Sequence, residues 1–157
     1  MAGTERTPAG DAFSRLVIQV FQLNGLLLGA GDAMAKPAGQ TAARWQLLAA
    51  IEAGPASVAQ IARALRLARQ SVQRVADLVV ADGLAAYEDN PSHRRAKLLR
   101  LTPPGREALE TIQAAQRVWA NELGGKIGKG DIDRATTVLT RLLGALDDRS
   151  RSASKPG

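Results

Sequence analysis

Arg69, Gln70, Ser71, Gln73 and Arg74 place five hydrogen-bonding side chains within six consecutive positions, and Arg94, Arg95, Lys97 and Arg100 follow further along the chain. Arginine can pair bidentately with guanine, and glutamine with adenine, on the base edges of a DNA major groove. Lysine and arginine also neutralise phosphates without regard to sequence. Val72, Val75 and Ala76 fall at helical spacing between the polar residues, so on a helix the polar set shares the outward side. On that basis Arg69, Gln70 and Gln73 are expected to read bases. Ser71 and Arg74 are expected to contact or frame phosphates. Ser57 opens the preceding helical stretch, where free N–H groups can hold a phosphate; ordinary capping by its hydroxyl is the alternative reading.

The charge pattern supports a polyanionic partner. The chain of 157 residues carries a net charge of +6. Arg63 to Arg106 holds nine basic residues against four acidic ones, a surplus of five within that segment alone. No acid lies between Glu52 and Asp77, nor between Asn90 and Arg106. A surplus gathered in one segment points to nucleic acid more than a dispersed solubility charge does. One of Arg94 or Arg95 is expected to enter a minor groove, where narrow A·T tracts attract guanidinium groups. Strand alternation sets Lys97 and Arg100 on opposite faces, so not every base can point at DNA.

Other chemistries lack their parts. There is no cysteine and a single histidine, His93, so disulfides, thiolate zinc sites and multi-histidine metal sites are excluded. His93 is either a pH-sensitive loop contact or a loop residue with no role. No nucleophile–base pair or phosphate-cradling glycine loop stands out, and the glycines between Gly124 and Gly130 follow a helix instead of a strand. No enzyme activity and no cofactor is expected. No apolar run reaches the roughly 18–20 residues of a membrane span, and the first residues lack the form of a signal peptide. A cytoplasmic, nucleoid-associated protein is therefore expected, with no membrane partner.

The elements that would position these groups are mostly helical. Residues 1–10 are expected to be a disordered tail. A first helix from about Asp11 carries Phe13, Leu16, Val17, Val20, Phe21, Asn24, Leu27 and Leu28 at three- and four-residue steps, and is ended or loosened at Gly29–Gly31. Thr41 caps a second helix and Ser57 a third. A turn at Arg66–Leu67 leads to a fourth helix over about 68–82, closed by Gly83 in a left-handed conformation. Two short strands, 84–88 and 97–101, flank the turn-forming Asp89-Asn90-Pro91-Ser92. Thr102 and Pro103 start a long helix expected to break at Gly124-Gly125 and at Gly128 to Gly130. A last helix covers about 129–148, and 149–157 is expected to be a flexible tail. The fold class is mainly α with a small β-wing, a winged helix-turn-helix lobe over about 41–102.

Residues 41–106 resemble the MarR family of bacterial transcriptional regulators. The resemblance is carried by Leu47-Leu48 with Ile51, by Ser57-Val-Ala-Gln-Ile-Ala-Arg-Ala-Leu65, by Ser71-Val-Gln-Arg-Val-Ala-Asp77, by Gly83-Leu84, and by Leu101-Thr-Pro-Pro-Gly105. It implies one domain over 11–148, with the helices at about 11–30 and 103–148 forming a homodimer. It further implies that the fourth helix enters the major groove of a palindromic operator and the wing reaches the minor groove. Such regulators usually repress, and release DNA when a small aromatic or amphipathic molecule binds near the dimer interface. Asn24, Arg44, Trp45 and Trp119 would then line an effector pocket, or else serve packing and interface contacts. A regulator without an effector, controlled by abundance or a protein partner, is the alternative. Two positions depart from the family pattern. Ala68 stands where a hydroxyl residue usually begins the recognition helix. His93 stands where an aspartate usually orients the arginine at the place of Arg95, and Glu88 or Asp89 could substitute for it.

Overall fold

The computed structural model describes residues 5–153. Its elements are α1 (Pro8–Ala35), a 3-10 turn (Lys36–Ala38), α2 (Ala42–Ala50), β1 (Ala56–Ser57), α3 (Val58–Leu65), α4 (Arg69–Ala81), β2 (Ala85–Glu88), β3 (Leu98–Leu101), α5 (Pro103–Ile127) and α6 (Lys129–Ala153). The chain divides into two compact units between Ala115 and Gln116.

The first unit packs α2, α3 and α4 against a three-stranded antiparallel sheet of order β1-β3-β2. Leu47, Leu48 and Ile51 at the end of α2, Ile61 on α3, Val79 on α4 and Leu99 on β3 are at most 1% exposed and form its centre. Aliphatic side chains suffice because the helices are short and meet closely. Residue pairing sets Ala85 opposite Leu101 and Glu88 opposite Leu98, so the β2–β3 ladder closes below the wing loop. The third strand was not expected: Ala56 and Ser57 pair with Leu99 and Leu98, which anchors the start of α3 to the wing.

Each helix boundary has a local cause. Thr7 accepts from the Gly10 amide at 3.1 Å, so α1 starts at Pro8, three residues before the expected Asp11, and shortens the expected tail. Residues 1–4 of that tail lie outside the described residues. α1 also runs past Gly29 and Gly31 to Ala35. Gly31 is a packing site and not a breaker, because a Cβ there would stand 2.9 Å from the Ala42 Cβ. The start of α2 is capped twice: Thr41 Oγ1 accepts from the Arg44 amide and Asp32 Oδ1 from the Ala42 amide. α4 ends in a Schellman arrangement, with Gly83 at φ 75°, its amide on the Val80 carbonyl and the Leu84 amide on the Val79 carbonyl.

α1 is apolar nearly all round and little covered within the chain. Phe21 is 72% exposed and Leu26 75%. By length and composition alone, Pro8–Ala38 is apolar enough to cross a membrane, which corrects the expectation that no segment is.

The second unit comprises the end of α5 and all of α6. α5 continues through the first expected break, Gly124-Gly125, to Ile127, and the chain turns at the second, Gly128, φ 92°. Two glycines inside a long helix are tolerated at about 1 kcal/mol each; the positive φ is what ends it. α6 extends to Ala153, so residues 149–153 are helical where a flexible tail was expected; 154–157 lie outside the described residues. No described residue of α6 is buried within the chain, and Leu139, Leu143 and Leu146 are all at least 40% exposed.

Candidate nucleic-acid interface

The helix-turn-helix is built from two differently closed helix ends. α3 begins with a capping box: Ser57 Oγ accepts from the Gln60 amide at 3.2 Å, and the Ser57 amide donates to Gln60 Oε1 at 2.8 Å. The Ser57 hydroxyl is thus engaged as a cap. α3 closes at Arg66, the only described non-glycine residue with positive φ, at 54°. That left-handed residue turns the chain sharply into Leu67-Ala68 and sets α4 across α3.

α4 carries the predicted polar set. Arg69, Gln70, Ser71 and Arg74 are exposed, Gln73 is half-buried, and Val72, Ala76 and Val79 are buried on the opposite side. The residue before the helix, Ala68, supplies no side-chain cap. The first-turn amides of α4 are therefore left without the hydroxyl partner that Ser57 gives α3.

The wing loop is organised by Asn90. Its Oδ1 accepts from the Ser92 amide at 3.0 Å and its carbonyl from the His93 amide at 3.1 Å. His93, Arg94, Arg95 and Lys97 are all exposed. Arg100 is not simply solvated: its Nε donates to Glu88 Oε2 at 3.1 Å across β2 and β3. Glu88 thereby pairs with Arg100, and not with Arg95, whose usual wing carboxylate is missing.

Between α4 and the wing lies an open cleft of about 210 Å³. Ser57, Arg69, Gln73, Tyr87, Arg95 and Lys97 line it, with Val58, Ala59 and Ala96. Three cations and three polar side chains thus face one concave space, with no carboxylate in its lining. Gln70, Ser71, Arg74 and Arg94 lie outside the lining, exposed on the same two elements. Tyr87 is a residue the sequence reading passed over. Its hydroxyl donates to Asp77 Oδ1 at 2.7 Å, and Gln73 Nε2 donates to that same oxygen and to the Tyr87 hydroxyl, each at 2.9 Å. Burial and the neighbouring Asp77 carboxylate push the Tyr87 pKa up to about 12, so it stays a neutral donor. The missed signal was a tyrosine on the first wing strand opposite a polar position of α4.

A second, more apolar cavity of about 480 Å³ is lined from α1 by Asn24, Leu27, Leu28 and Gly31, from α2 chiefly by Trp45 and Gln46, and from α3 by Leu65. Asn24 and Trp45 therefore meet there. Arg44 does not line it: its Nη1 donates to Asp82 Oδ2 at 2.6 Å and to Gln40 Oε1 at 3.3 Å, tying α2 to the end of α4. Trp119 belongs to the second unit. Among the described residues, no group of three or more His, Asp or Glu side chains is placed to hold a metal.

A basic recognition helix beside a basic wing defines a winged-helix DNA-binding protein. The sequence profile of the MarR family matches residues 38–96, which span the lobe from before α2 into the wing. A protein of Mycobacterium tuberculosis (strain ATCC 25618 / H37Rv) is 40% identical over 136 residues, 87% of this chain and 95% of that one. The transcriptional activatory protein BadR of Rhodopseudomonas palustris is 28% identical over 143 residues, covering 88% of this chain and 80% of its own. Among solved structures, a cysteine-to-serine mutant of Escherichia coli MarR complexed with operator DNA superposes with TM-score 0.71 at 23% identity, over 84% of this chain and 94% of that one. CouR from Rhodococcus jostii RHA1, bound to p-coumaroyl-CoA, superposes with TM-score 0.72 at 19% identity, over 81% and 90%. The chain belongs to the MarR family of DNA-binding transcriptional regulators.

Proposed function

We propose that the chain acts as a homodimeric repressor on a palindromic operator, in the cytoplasm and on the nucleoid, and that a small molecule releases it. The cleft between α4 and the wing carries this reading, because it gathers Arg69, Arg95 and Lys97 with no acid in its wall. In the proposed complex Arg69, Gln70 and Gln73 face base edges. Ser71 and Arg74 contact phosphates, as do the uncapped first-turn amides of α4. Lys97 tracks the backbone and Arg94 or Arg95 enters the minor groove. Ser57 serves as a cap whose neighbouring backbone can still approach a phosphate.

Dimerisation is supported by the apolar surface that α1 and α6 leave open. Residues such as Phe21, Leu26 and Leu143 are far more exposed than a lone chain in water favours. Release by a ligand is supported by the cavity around Asn24 and Trp45, whose mostly aliphatic wall and few polar groups suit an aromatic or amphipathic guest. CouR, which shares the fold, holds p-coumaroyl-CoA, and this favours a ligand-responsive regulator over one controlled by abundance alone. A guest acts only if it binds one half-site spacing more tightly than the other. Arg44 and Trp119 enter this scheme as packing residues.

A promoter-reporter assay with the chain supplied or deleted tests the sense of regulation. Repression predicts a rise in expression on deletion. A fall would assign activation, the sense carried in the name of BadR.

A further inference from the structure

Gln73 would ordinarily be assigned a bidentate contact with adenine, its oxygen accepting from the N6 amino group and its nitrogen donating to N7. The side chain is not free to do this. Its Nε2 lies 2.9 Å from Asp77 Oδ1 and 2.9 Å from the Tyr87 hydroxyl, which itself donates to Asp77 at 2.7 Å. The orientation of the amide follows from chemistry. An ionised carboxylate only accepts, so the group beside Asp77 must be the NH2. The reverse orientation would set two acceptor oxygens against each other. Among the described residues, Oε1 has no intramolecular partner. Asp77 sits one turn further along α4, away from the N-terminal end that meets base edges in a recognition helix. It therefore draws the nitrogen back and leaves the oxygen as the group on offer to the cleft.

Resting on the reading that α4 enters the major groove, we propose that Tyr87 and Asp77 hold Gln73 as a one-sided reader: it accepts from the exocyclic amino group of a single base pair and does not donate to a purine N7. Tyr87 and Asp77 are positioning residues. They also make the wing strand β2 part of the recognition apparatus, since Tyr87 is the wing's only link in this triad. The same arrangement leaves Arg69, on the preceding turn, as the cleft's donor to purine N7 and O6.

The test starts from a duplex selected by the full-length chain, at the pair where Gln73→Ala loses discrimination. At that pair one set of duplexes lacks the exocyclic amino group, with purine replacing adenine or 2-pyrimidinone replacing cytosine. A second set carries a 7-deaza purine, which lacks only N7. For the unsubstituted chain, loss of the amino group should weaken binding about three- to tenfold, the worth of one hydrogen bond, and loss of N7 should leave it unchanged. In Tyr87→Phe, which keeps the ring and removes the hydroxyl, one of the two amide N–H groups loses its partner and should acquire sensitivity to N7. Asp77→Ala, at an exposed position, repeats the test if Tyr87→Phe folds poorly. The proposal is overturned if N7 matters to the unsubstituted chain, if neither analogue matters, or if both variants respond to the analogues as the unsubstituted chain does. Failure to select any duplex would instead sink the DNA-reading assignment beneath it.

Discussion

Arg69 stands on the first turn of α4 and in the wall of the cleft, where a guanidinium can reach base edges. Arg69→Ala should lose about 1–3 kcal/mol of discrimination at particular base pairs, read by competition among single-site operator variants; an equal loss on every sequence would refute base reading. Tyr87 supplies a pH signature. Its pKa is raised from 10.0 to about 12 by folding, so the folded state holds that proton more tightly. The stabilisation is fully present below pH 10 and is lost as pH rises from 10 to 12. Urea melts across that window should show a fall in stability that Tyr87→Phe removes. Residue types alone pointed to this candidate site, but not to its wiring. The run from Arg69 to Arg74 could be assigned to an outward face because Val72 and Ala76 mark the inward one by spacing. Spacing alone sets Asp77 one helical turn from Gln73. What it could not show is Tyr87, which meets Gln73 only because β2 folds back along α4, a contact between positions 14 residues apart. Likewise Glu88 was a candidate to orient Arg95 until the strand register gave it to Arg100.

Elements were legible where a cap or an amphipathic period announced them and illegible where a tertiary contact decided. Thr41, Ser57 and Gly83 fixed three helix ends as expected. Gly31 and Gly124-Gly125 read as breakers, yet the helices continue through them. Of the two glycine breaks expected in α5, only the one at Gly128 ends the helix, because there the backbone takes φ 92°. β1 escaped notice because two residues have no periodicity. Gly105 shows the reverse case, a glycine with a packing role. A Cβ there would come within 1.9 Å of the Leu84 carbonyl oxygen, so the close approach of α5 to the end of α4 requires hydrogen at this position. Gly105→Ala should therefore destabilise the chain by about 1–3 kcal/mol or more through overpacking, seen as a lower urea midpoint with unchanged slope. Asp32→Ala removes one of the two caps on α2 and should reduce stability by about 1 kcal/mol, in the same assay.

At the scale of the molecule, the apolar surface of α1 is the feature that most needs a partner. Its hydropathy would pass for a membrane span, but Asn24 and the charged Arg15 and Asp32 interrupt it, and its C-terminal end is packed on α2 through Gly31. The proposed dimer would cover Phe21 and Leu26 without a membrane. Sedimentation equilibrium should then give twice the 16.5 kDa chain mass, and Leu26→Glu should shift it towards the single chain while weakening operator binding. In the proposed dimer, paired α4 helices would enter successive major grooves about one turn, roughly 10 bp, apart. The most direct measurement is selection of binding sites from a randomised duplex pool at two salt concentrations. A palindrome with half-sites about 10 bp apart, bound with a salt slope that Arg95→Ala makes shallower, is the predicted result. Salt-sensitive binding that recovers no common sequence would contradict the account.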